Sequence, residues 1–248
     1  MGDGRLELLE QNVIHEFDNA LVRRNLRGCY GKLAKMFYEG MLDNIAGTRV
    51  LDAGCGFGLF SRLCKDRGFR VHAIDIDEHS LQIAREEFKL ECRLESVYET
   101  SLPADSIDTV VFNDVVCHLE FPALMAEIAR LGARRLIVFD SNIWNPLLRF
   151  YRYWSGHEEF QDYNLRQTIE HIERYDFKVR RSVFHNYLAL PISGGLQRKP
   201  IPVLNWFPRV IDLGDRVLGK VLPWTGLSGY LAFRYLAVFD RNDPRVSE

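Results

Sequence analysis

Long apolar runs and paired cysteines are both scarce in this sequence, and each shortage excludes a class of protein. The longest apolar candidate, residues 229–239, contains Arg234, so no run approaches the ~18 residues of a membrane-spanning helix. The five cysteines are an odd number and include no Cys-x-x-Cys pair, which argues against a disulfide framework and against a zinc site. The N-terminal residues lack the apolar core of a signal peptide. We therefore expect a protein of the reducing cytoplasm.

A strong excess of positive charge is also missing. The formal net charge is −2, and no global basic field is available for nucleic acid, so we expect no nucleic-acid partner. No cluster of His, Asp and Glu shows a clear metal-ligand spacing, so we expect no metal. With 47% hydrophobic and 27% charged residues, the chain has the composition of an ordinary globular protein.

Short apolar strands alternate with helices from residue 48 onward. The pattern predicts strands at 49–53, 70–74, 91–94, 109–113, 135–140, 179–187 and 231–239, and helices at 14–27, 32–46, 58–67, 80–88, 122–131 and 165–174. Such an alternation is typical of βαβ units around a parallel sheet. We predict a helical cap at 1–47 and a main domain at 48–248, in which residues 188–229 form an insertion before the last strand.

A glycine-rich loop at residues 54–58 (Gly-Cys-Gly-Phe-Gly) joins the first predicted strand to the first helix behind it. Glycine permits positive φ and lets a ligand approach the backbone, and the helix N-terminus offers free N–H groups. The dinucleotide fingerprint Gly-x-Gly-x-x-Gly does not fit, because its third glycine would fall at Leu59 or Ser61. The spacing is instead Gly-x-Gly-x-Gly, preceded by Asp52.

Residues 51–58 (Leu-Asp-Ala-Gly-Cys-Gly-Phe-Gly) resemble the first motif of the class I S-adenosylmethionine-dependent methyltransferases. The resemblance implies an α/β, Rossmann-like, doubly wound and mostly parallel seven-stranded sheet with an antiparallel last strand. It implies S-adenosylmethionine as cofactor, with the loop under its methionine part and Asp52 near its amino group. The residues assigned to the cofactor are Asp52, Gly54, Gly56, Gly58, Asp75, Ile76, Ser96, Val97 and Asn113.

Asp75 ends the second predicted strand, and an acid ~20 residues beyond such a loop is positioned to accept hydrogen bonds from both ribose hydroxyls. The alternative role for Asp75 is to cap the next helix, although Asp77 is better placed for that. Ile76 would then flank the adenine ring. The acid that often contacts adenine in the family is missing here, and Ser96 and Val97 align best with its position.

Residues 113–119 (Asn-Asp-Val-Val-Cys-His-Leu) resemble a segment of the ubiquinone-type O-methyltransferases, in which Asp114 and His118 match an acid and a histidine. A hydroxyl or amine acceptor loses a proton on methylation, so a nearby base helps, and histidine has a suitable unperturbed pKa. His118 and Asp114 are therefore the candidate catalytic residues, while a purely structural His118 stays an alternative. Tyr30 and Tyr38 are lid candidates in the N-terminal helices.

These features predict a methyltransferase that transfers a methyl group from S-adenosylmethionine to a small, apolar organic acceptor, at oxygen. The alternative is a catalytically inactive protein that binds S-adenosylmethionine as a regulatory or assembly subunit. Its binding loop would look the same.

Residues 206–222 form an amphipathic helix whose apolar arc covers about half of the helical wheel, more than the ~100° that seats a helix on one core. The sheet, the acceptor pocket, a bilayer or a partner chain could cover the excess. We expect a lid over the acceptor pocket, hinged near 194–195 and 226–229. Peripheral membrane contact is the alternative, favoured by Trp206 and Phe207 beside basic residues.

Overall fold

Strands and helices alternate along the chain much as the apolar pattern predicts. The computed structural model describes residues 19–116, 119–155, 163–193 and 207–242. Its elements in chain order are α1 (Asn19–Arg27), α2 (Cys29–Leu42), β1 (Arg49–Ala53), α3 (Leu59–Asp66), β2 (Arg70–Asp75), α4 (Glu78–Phe88), β3 (Cys92–Leu94), β4 (Thr109–Asn113), α5 (Phe121–Arg130), β5 (Arg135–Ser141), α6 (Pro146–Ser155), α7 (Leu165–Ile172), β6 (Phe177–His185), α8 (Ala189–Ser193), α9 (Pro208–Val221), a 3-10 turn (Leu222–Thr225), α10 (Ser228–Leu231) and β7 (Arg234–Arg241).

The strands form one seven-stranded sheet in the order β3-β2-β1-β4-β5-β7-β6. The first five are parallel, and β7 runs antiparallel to both of its neighbours. Val50 and Val110 are 0% exposed, as expected for central strands covered on both faces. The predicted fold is confirmed.

The strand order reverses between β1 and β4, and open sheets of this kind bind ligands outside the carboxyl ends of the strands at that point.

Several boundaries differ from the predictions. The last strand begins at Arg234 rather than at 231, because Ser228–Leu231 forms a helical turn before it. Strand β6 lies at Phe177–His185 instead of 179–187. Helix α6 was not predicted at all. Its exposed residues are apolar, so its sequence lacks the usual pattern of apolar residues toward the core and polar residues toward solvent.

The N-terminal helices pack directly on the sheet. Val22 and Tyr38 belong to the same apolar cluster as Phe60 and Ile137. Arg23 extends the contact through ion pairs with two glutamates of α4. This packing carries α2 to the carboxyl end of β4. The division of the chain at residue 47 and the limits 188–229 of the insertion stay predictions.

Helix α9 is fixed on its inner side by α2 and by the segment that follows β6. Ile211 packs in one cluster with Leu33 and Ala189. Asp215 falls on the polar half of the predicted wheel, yet it is buried and accepts hydrogen bonds from the N–H groups of residues 187–189 at 2.8, 2.7 and 3.0 Å. Residue 206 lies outside the described residues. Within the described ranges, no helix has the length and apolarity needed to cross a membrane.

Candidate cofactor and acceptor site

The loop after β1 depends on three glycines with positive φ. Gly54, Gly56 and Gly58 have φ values of 76°, 50° and 79°, which L-residues rarely adopt. A Cβ at Gly54 would lie 2.5 Å from Val115, and one at Gly58 would lie 2.4 Å from Leu90. These two glycines are therefore needed for packing. A Cβ at Gly56 would meet nothing within 4 Å, so the backbone there faces open space that a ligand can fill.

Asp75 ties the end of β2 to this loop. Its Oδ2 accepts a hydrogen bond from the Gly56 N–H at 2.7 Å, and its Oδ1 accepts one from the Asp77 N–H at 2.9 Å. Asp77 caps α4, because its carboxylate accepts hydrogen bonds from the N–H groups of His79 and Ser80. The structure thus gives the capping role to Asp77 and leaves Asp75 at the loop. Burial raises the pKa of Asp75.

Asp52 is buried at the end of β1 with only one of its oxygens satisfied. Its Oδ2 accepts a hydrogen bond from the Ser61 hydroxyl at 2.6 Å, whereas its Oδ1 has no partner among the described residues. Burial raises the pKa of Asp52 to about 7, and the hydrogen bond from Ser61 opposes part of that effect. A cationic ammonium group would both occupy Oδ1 and favour the ionised carboxylate.

The predicted adenine contacts are less defined. Val97 is 8% exposed and belongs to the main apolar core. The Ser96 hydroxyl accepts a hydrogen bond from the Tyr98 N–H at 3.3 Å. Ile76 is half-buried directly after β2. The roles of Ser96, Val97 and Ile76 stay predictions.

A hydrogen-bonded polar cluster lies at the carboxyl end of β4, under α2. The Asn113 side-chain amide donates to the Tyr38 hydroxyl at 2.8 Å, and the Asn113 Oδ1 is buried with no partner in the part of the chain that the structure describes. Tyr38 is hydrogen-bonded to Tyr30. Burial raises the pKa of both tyrosines, so they are neutral hydroxyl groups at physiological pH.

Asp114 and Arg234 form an ion pair beside this cluster. Asp114 has a φ of 57°, a conformation that costs free energy in a residue with a side chain. Its Oδ2 lies 2.5 Å from an Arg234 guanidinium nitrogen, and its Oδ1 accepts a hydrogen bond from the Ser141 hydroxyl at 3.5 Å. Arg234 is 9% exposed, and its Nε has no partner within the described ranges. A buried cation and an acid therefore lie side by side at this edge of the sheet.

Sequence reasoning missed Arg234 as a site residue. Because β7 is antiparallel, its first residue pairs with Ser141, the last residue of β5, and so reaches the carboxyl ends of the parallel strands. The signal available in the sequence was the charge that interrupts the apolar run of the last strand.

Of the two predicted catalytic residues, Asp114 is described, and His118 lies outside the described residues. A histidine that the sequence did not single out, His185, lies near the ion pair, with its ring 6.2 Å from that of Phe139. Burial lowers the pKa of His185 to about 4, so it is neutral and only weakly basic at physiological pH. His185 is therefore a poor candidate for a general base.

Two cavities lie near these strand ends. One of about 10 Å³, room for roughly one water molecule, is lined by Tyr30, Tyr38, Asn186 and Arg234 among others. The other, of about 370 Å³, lies beyond the end of β5 between Trp144, Ile169 and Phe184. Its volume falls in the range of ~300–1,000 Å³ that is usual for small-molecule sites. The first lies beside Arg234, and the second has room for an organic molecule.

Comparison with known proteins finds a methyltransferase domain in part of the chain. Residues 51–135 match the family described as methyltransferase domain. The chain is 35% identical over 95 residues to a malonyl-[acyl-carrier protein] O-methyltransferase of Serratia marcescens, with 37% of each chain covered. It is 34% identical over 164 residues to a probable S-adenosylmethionine-dependent methyltransferase of Mycolicibacterium smegmatis, with 61% of each covered. Residues 51–135 are therefore similar to a methyltransferase domain, and both relatives are methyltransferases by name.

The methyltransferase fold extends over most of the chain. The geranyl diphosphate C-methyltransferase of Streptomyces coelicolor A3(2) superposes with a TM-score of 0.61 at 16% identity, over 86% of this chain and 82% of that one. At that identity the likeness shows the fold alone. The chain spans 37% and 61% of the lengths of the two curated relatives, so their activities do not transfer to it by similarity.

The Mycolicibacterium smegmatis relative is named for S-adenosylmethionine, and the residues present in this chain fit that cofactor. The open backbone at Gly56 leaves room for a ligand beside the loop. The unpartnered oxygens of Asp52 and Asn113 are buried acceptors, which suit the cofactor's ammonium group. Asp75 lies at the loop, and each of its oxygens retains a lone pair for a ribose hydroxyl.

Proposed function

We propose that this methyltransferase transfers a methyl group from S-adenosylmethionine to an oxygen atom of a small, apolar organic acceptor. One observation carries the proposal: the glycine loop and the residues after β4 lie in direct contact. Gly54 leaves no room for a Cβ beside Val115, the residue that follows Asp114. The Asp114–Arg234 ion pair is therefore next to the loop that would hold the cofactor.

The protein's own part in this reaction is to bind the cofactor and to orient the acceptor. The bound cofactor supplies a methyl group that its positive sulfur has already activated. Asp52 would hold the ammonium group, and Asp75 would fix the ribose. Tyr38, buried above Asn113, excludes water from the strand ends.

Asp114 and Arg234 would orient the acceptor oxygen. The unpartnered Nε–H of Arg234 is a donor with no other use among the described residues, and the cavity of about 10 Å³ beside Arg234 would admit only a small oxygen-containing group of the acceptor or a water molecule. A hydroxyl acceptor also releases a proton, for which Asp114 and His118 are the proposed bases. The name of the Serratia marcescens relative, an O-methyltransferase, supports oxygen as the methylated atom.

The cavity of about 370 Å³ supports an apolar acceptor, because Trp144, Leu165 and Phe184 line it. Peripheral membrane contact through residues 206–222 would be a separate property of the chain. Such contact would give the enzyme access to acceptors that partition into lipid.

Transfer of label from methyl-labelled S-adenosylmethionine tests the proposed activity. The chain is incubated with a cell extract, and the organic phase is separated and counted. We expect label in a small, organic-extractable product. Asp114→Asn should lower that rate by about 10²–10⁴ if Asp114 is the base, with the affinity for S-adenosylhomocysteine unchanged. A chain that binds S-adenosylhomocysteine but labels no small product would contradict the proposal and favour an inactive binding subunit.

A further inference from the structure

Exposed apolar side chains are concentrated on one part of this molecule. Fourteen large hydrophobic residues are exposed within the described ranges, and thirteen of them fall in two segments, 144–153 and 207–231. The exception is Leu94. The thirteen are Trp144, Leu147, Phe150, Tyr153, Phe207, Val210, Leu213, Val217, Val221, Trp224, Leu227, Tyr230 and Leu231. Singly scattered exposed residues need no explanation, whereas such a concentration marks an interaction site.

The two segments are in contact where Trp144 meets Tyr230, so the exposed residues at that contact adjoin one another. The rings of Trp144 and Tyr230 stack at a centroid distance of 6.4 Å. The Asn142 side-chain amide donates to the carbonyls of Gly229 and Ala232 at 2.7 and 2.8 Å. The Asn145 amide donates to the Leu231 carbonyl at 3.0 Å. We call the surface formed by residues 144–153 and 207–231 the apolar face.

Helix α9 presents an apolar stripe outward and cannot turn it inward. Val210, Leu213, Val217 and Val221 follow one line along the helix and are 51–64% exposed. The opposite side carries Asp215, whose carboxylate accepts three backbone hydrogen bonds from residues 187–189. Rotating the stripe toward the core would break all three bonds and would leave those N–H groups without their acceptor.

Positive charges flank the stripe. Arg209, Arg216 and Lys220 are exposed on the adjoining side of α9. Of the two acids of the apolar face, Asp212 pairs with Arg216 at 2.8 Å, and Asp215 is buried. An apolar stripe beside a basic edge, with Trp and Tyr at the margin, is the pattern of a helix that lies in a membrane interface. A second copy of the chain would bring the same cations and no complementary acids to this face.

We propose that the apolar face docks on the surface of an anionic phospholipid bilayer, with α9 lying in the headgroup plane. The exposed side chains would enter the boundary between headgroups and acyl chains, and the flanking cations would contact lipid phosphates. The docking rests on the geometry and charge of this face. It does not depend on whether the chain transfers a methyl group.

Vesicle cosedimentation of the full chain tests this directly. The vesicles are phosphatidylcholine alone and phosphatidylcholine mixed with an equal amount of phosphatidylglycerol. We expect binding to the mixed vesicles and much weaker binding to phosphatidylcholine. Leu213→Asp combined with Val217→Asp should abolish binding, whereas Leu94→Asp, an exposed apolar residue outside the face, should not. Replacing Arg209 or Lys220 by Gln should weaken binding about fivefold each.

The outcomes that overturn the proposal are distinct. The variants replace exposed residues, so their melting temperatures should match that of the parent chain, and binding loss cannot be ascribed to unfolding. Failure of the parent chain to bind either vesicle contradicts docking. Equal binding to both vesicles contradicts the role of the basic edge. A concentration-dependent dimer that Leu213→Asp with Val217→Asp dissociates, without vesicle binding, would assign the face to a second copy.

Discussion

At the level of single residues, the surroundings of the loop glycines predict a packing role for Gly58 and a binding role for Gly56. Gly56 and Gly58 both have positive φ, so alanine costs roughly 1–2 kcal/mol of backbone strain at either position. Only at Gly58 does the added Cβ also collide with Leu90 and Ala84, at 2.4 and 2.8 Å. Overpacking of that kind costs ~1–3 kcal/mol more.

The variants Gly58→Ala and Gly56→Ala should therefore differ in what they lose, stability in the first and ligand affinity in the second. Gly58→Ala should lower the free energy of unfolding more than Gly56→Ala does, as measured by urea denaturation. Gly56→Ala should lose most of the affinity for S-adenosylhomocysteine, because its Cβ occupies the open space beside the loop. Undiminished binding by Gly56→Ala would show that the ligand does not use this space.

We predict that Asp52 gives cofactor binding a pH dependence. Burial raises its pKa to about 7, so Asp52 changes its protonation state near neutrality in the free protein. Only the ionised form attracts the ammonium group, so the affinity for S-adenosylhomocysteine should fall by up to about tenfold per pH unit below that pKa and level off above it. Calorimetric titrations across this range measure it. Asp52→Asn should flatten the profile, and an unchanged slope in that variant would assign the titration to another group.

The helix-capping role of Asp77 was predictable from sequence, because its contacts are local. Asp77 caps α4 through N–H groups two and three residues away. The glycine loop and its acid occupy one short segment. Arg234 escaped prediction because its partner, Asp114, is distant in sequence and meets it only after β7 has paired with β5.

At the scale of elements, the predicted bounds are correct for some strands in which nearly all residues are buried. Strands β1 and β4 have the predicted bounds, since both are short apolar runs between polar turns. Helix α6 was missed because Leu147, Phe150 and Tyr153 lie on its solvent side, whereas a helix that packs on the core usually has polar residues there. The amphipathic helix of the insertion was predicted near its observed place. Which arc faces outward could not be predicted, because α2 and the residues after β6 decide it.

Asp215 is expected to anchor α9. Asp215→Ala would leave three N–H groups of residues 187–189 without their acceptor and should lower the free energy of unfolding by ~1–3 kcal/mol. The matched control is Asp212→Ala, which removes only a surface ion pair with Arg216 and should cost less than about 1 kcal/mol. Chemical denaturation compares the two variants. Equal losses would mean that these three bonds do not fix the helix.

At the scale of the whole molecule, the polar cluster and the apolar face lie on different elements. The glycine loop, Asp114 and Arg234 lie at the strand ends under α2, whereas the apolar face is formed by residues 144–153 and 207–231. The cavity of about 370 Å³ has Trp144 in its wall, and Trp144 also belongs to the apolar face. An acceptor from a lipid surface would therefore meet this cavity at the margin of the docked face.

Calorimetric titration of the full chain with S-adenosylhomocysteine, and in parallel with NAD, tests the central claim most directly. The account predicts that S-adenosylhomocysteine binds and raises the melting temperature, because a ligand bound only by the folded state stabilises it. It predicts that NAD does not bind. Asp75→Ala should weaken S-adenosylhomocysteine binding by roughly 1–3 kcal/mol, the cost of losing hydrogen bonds to a charged acceptor. Binding of NAD without binding of S-adenosylhomocysteine would contradict the account.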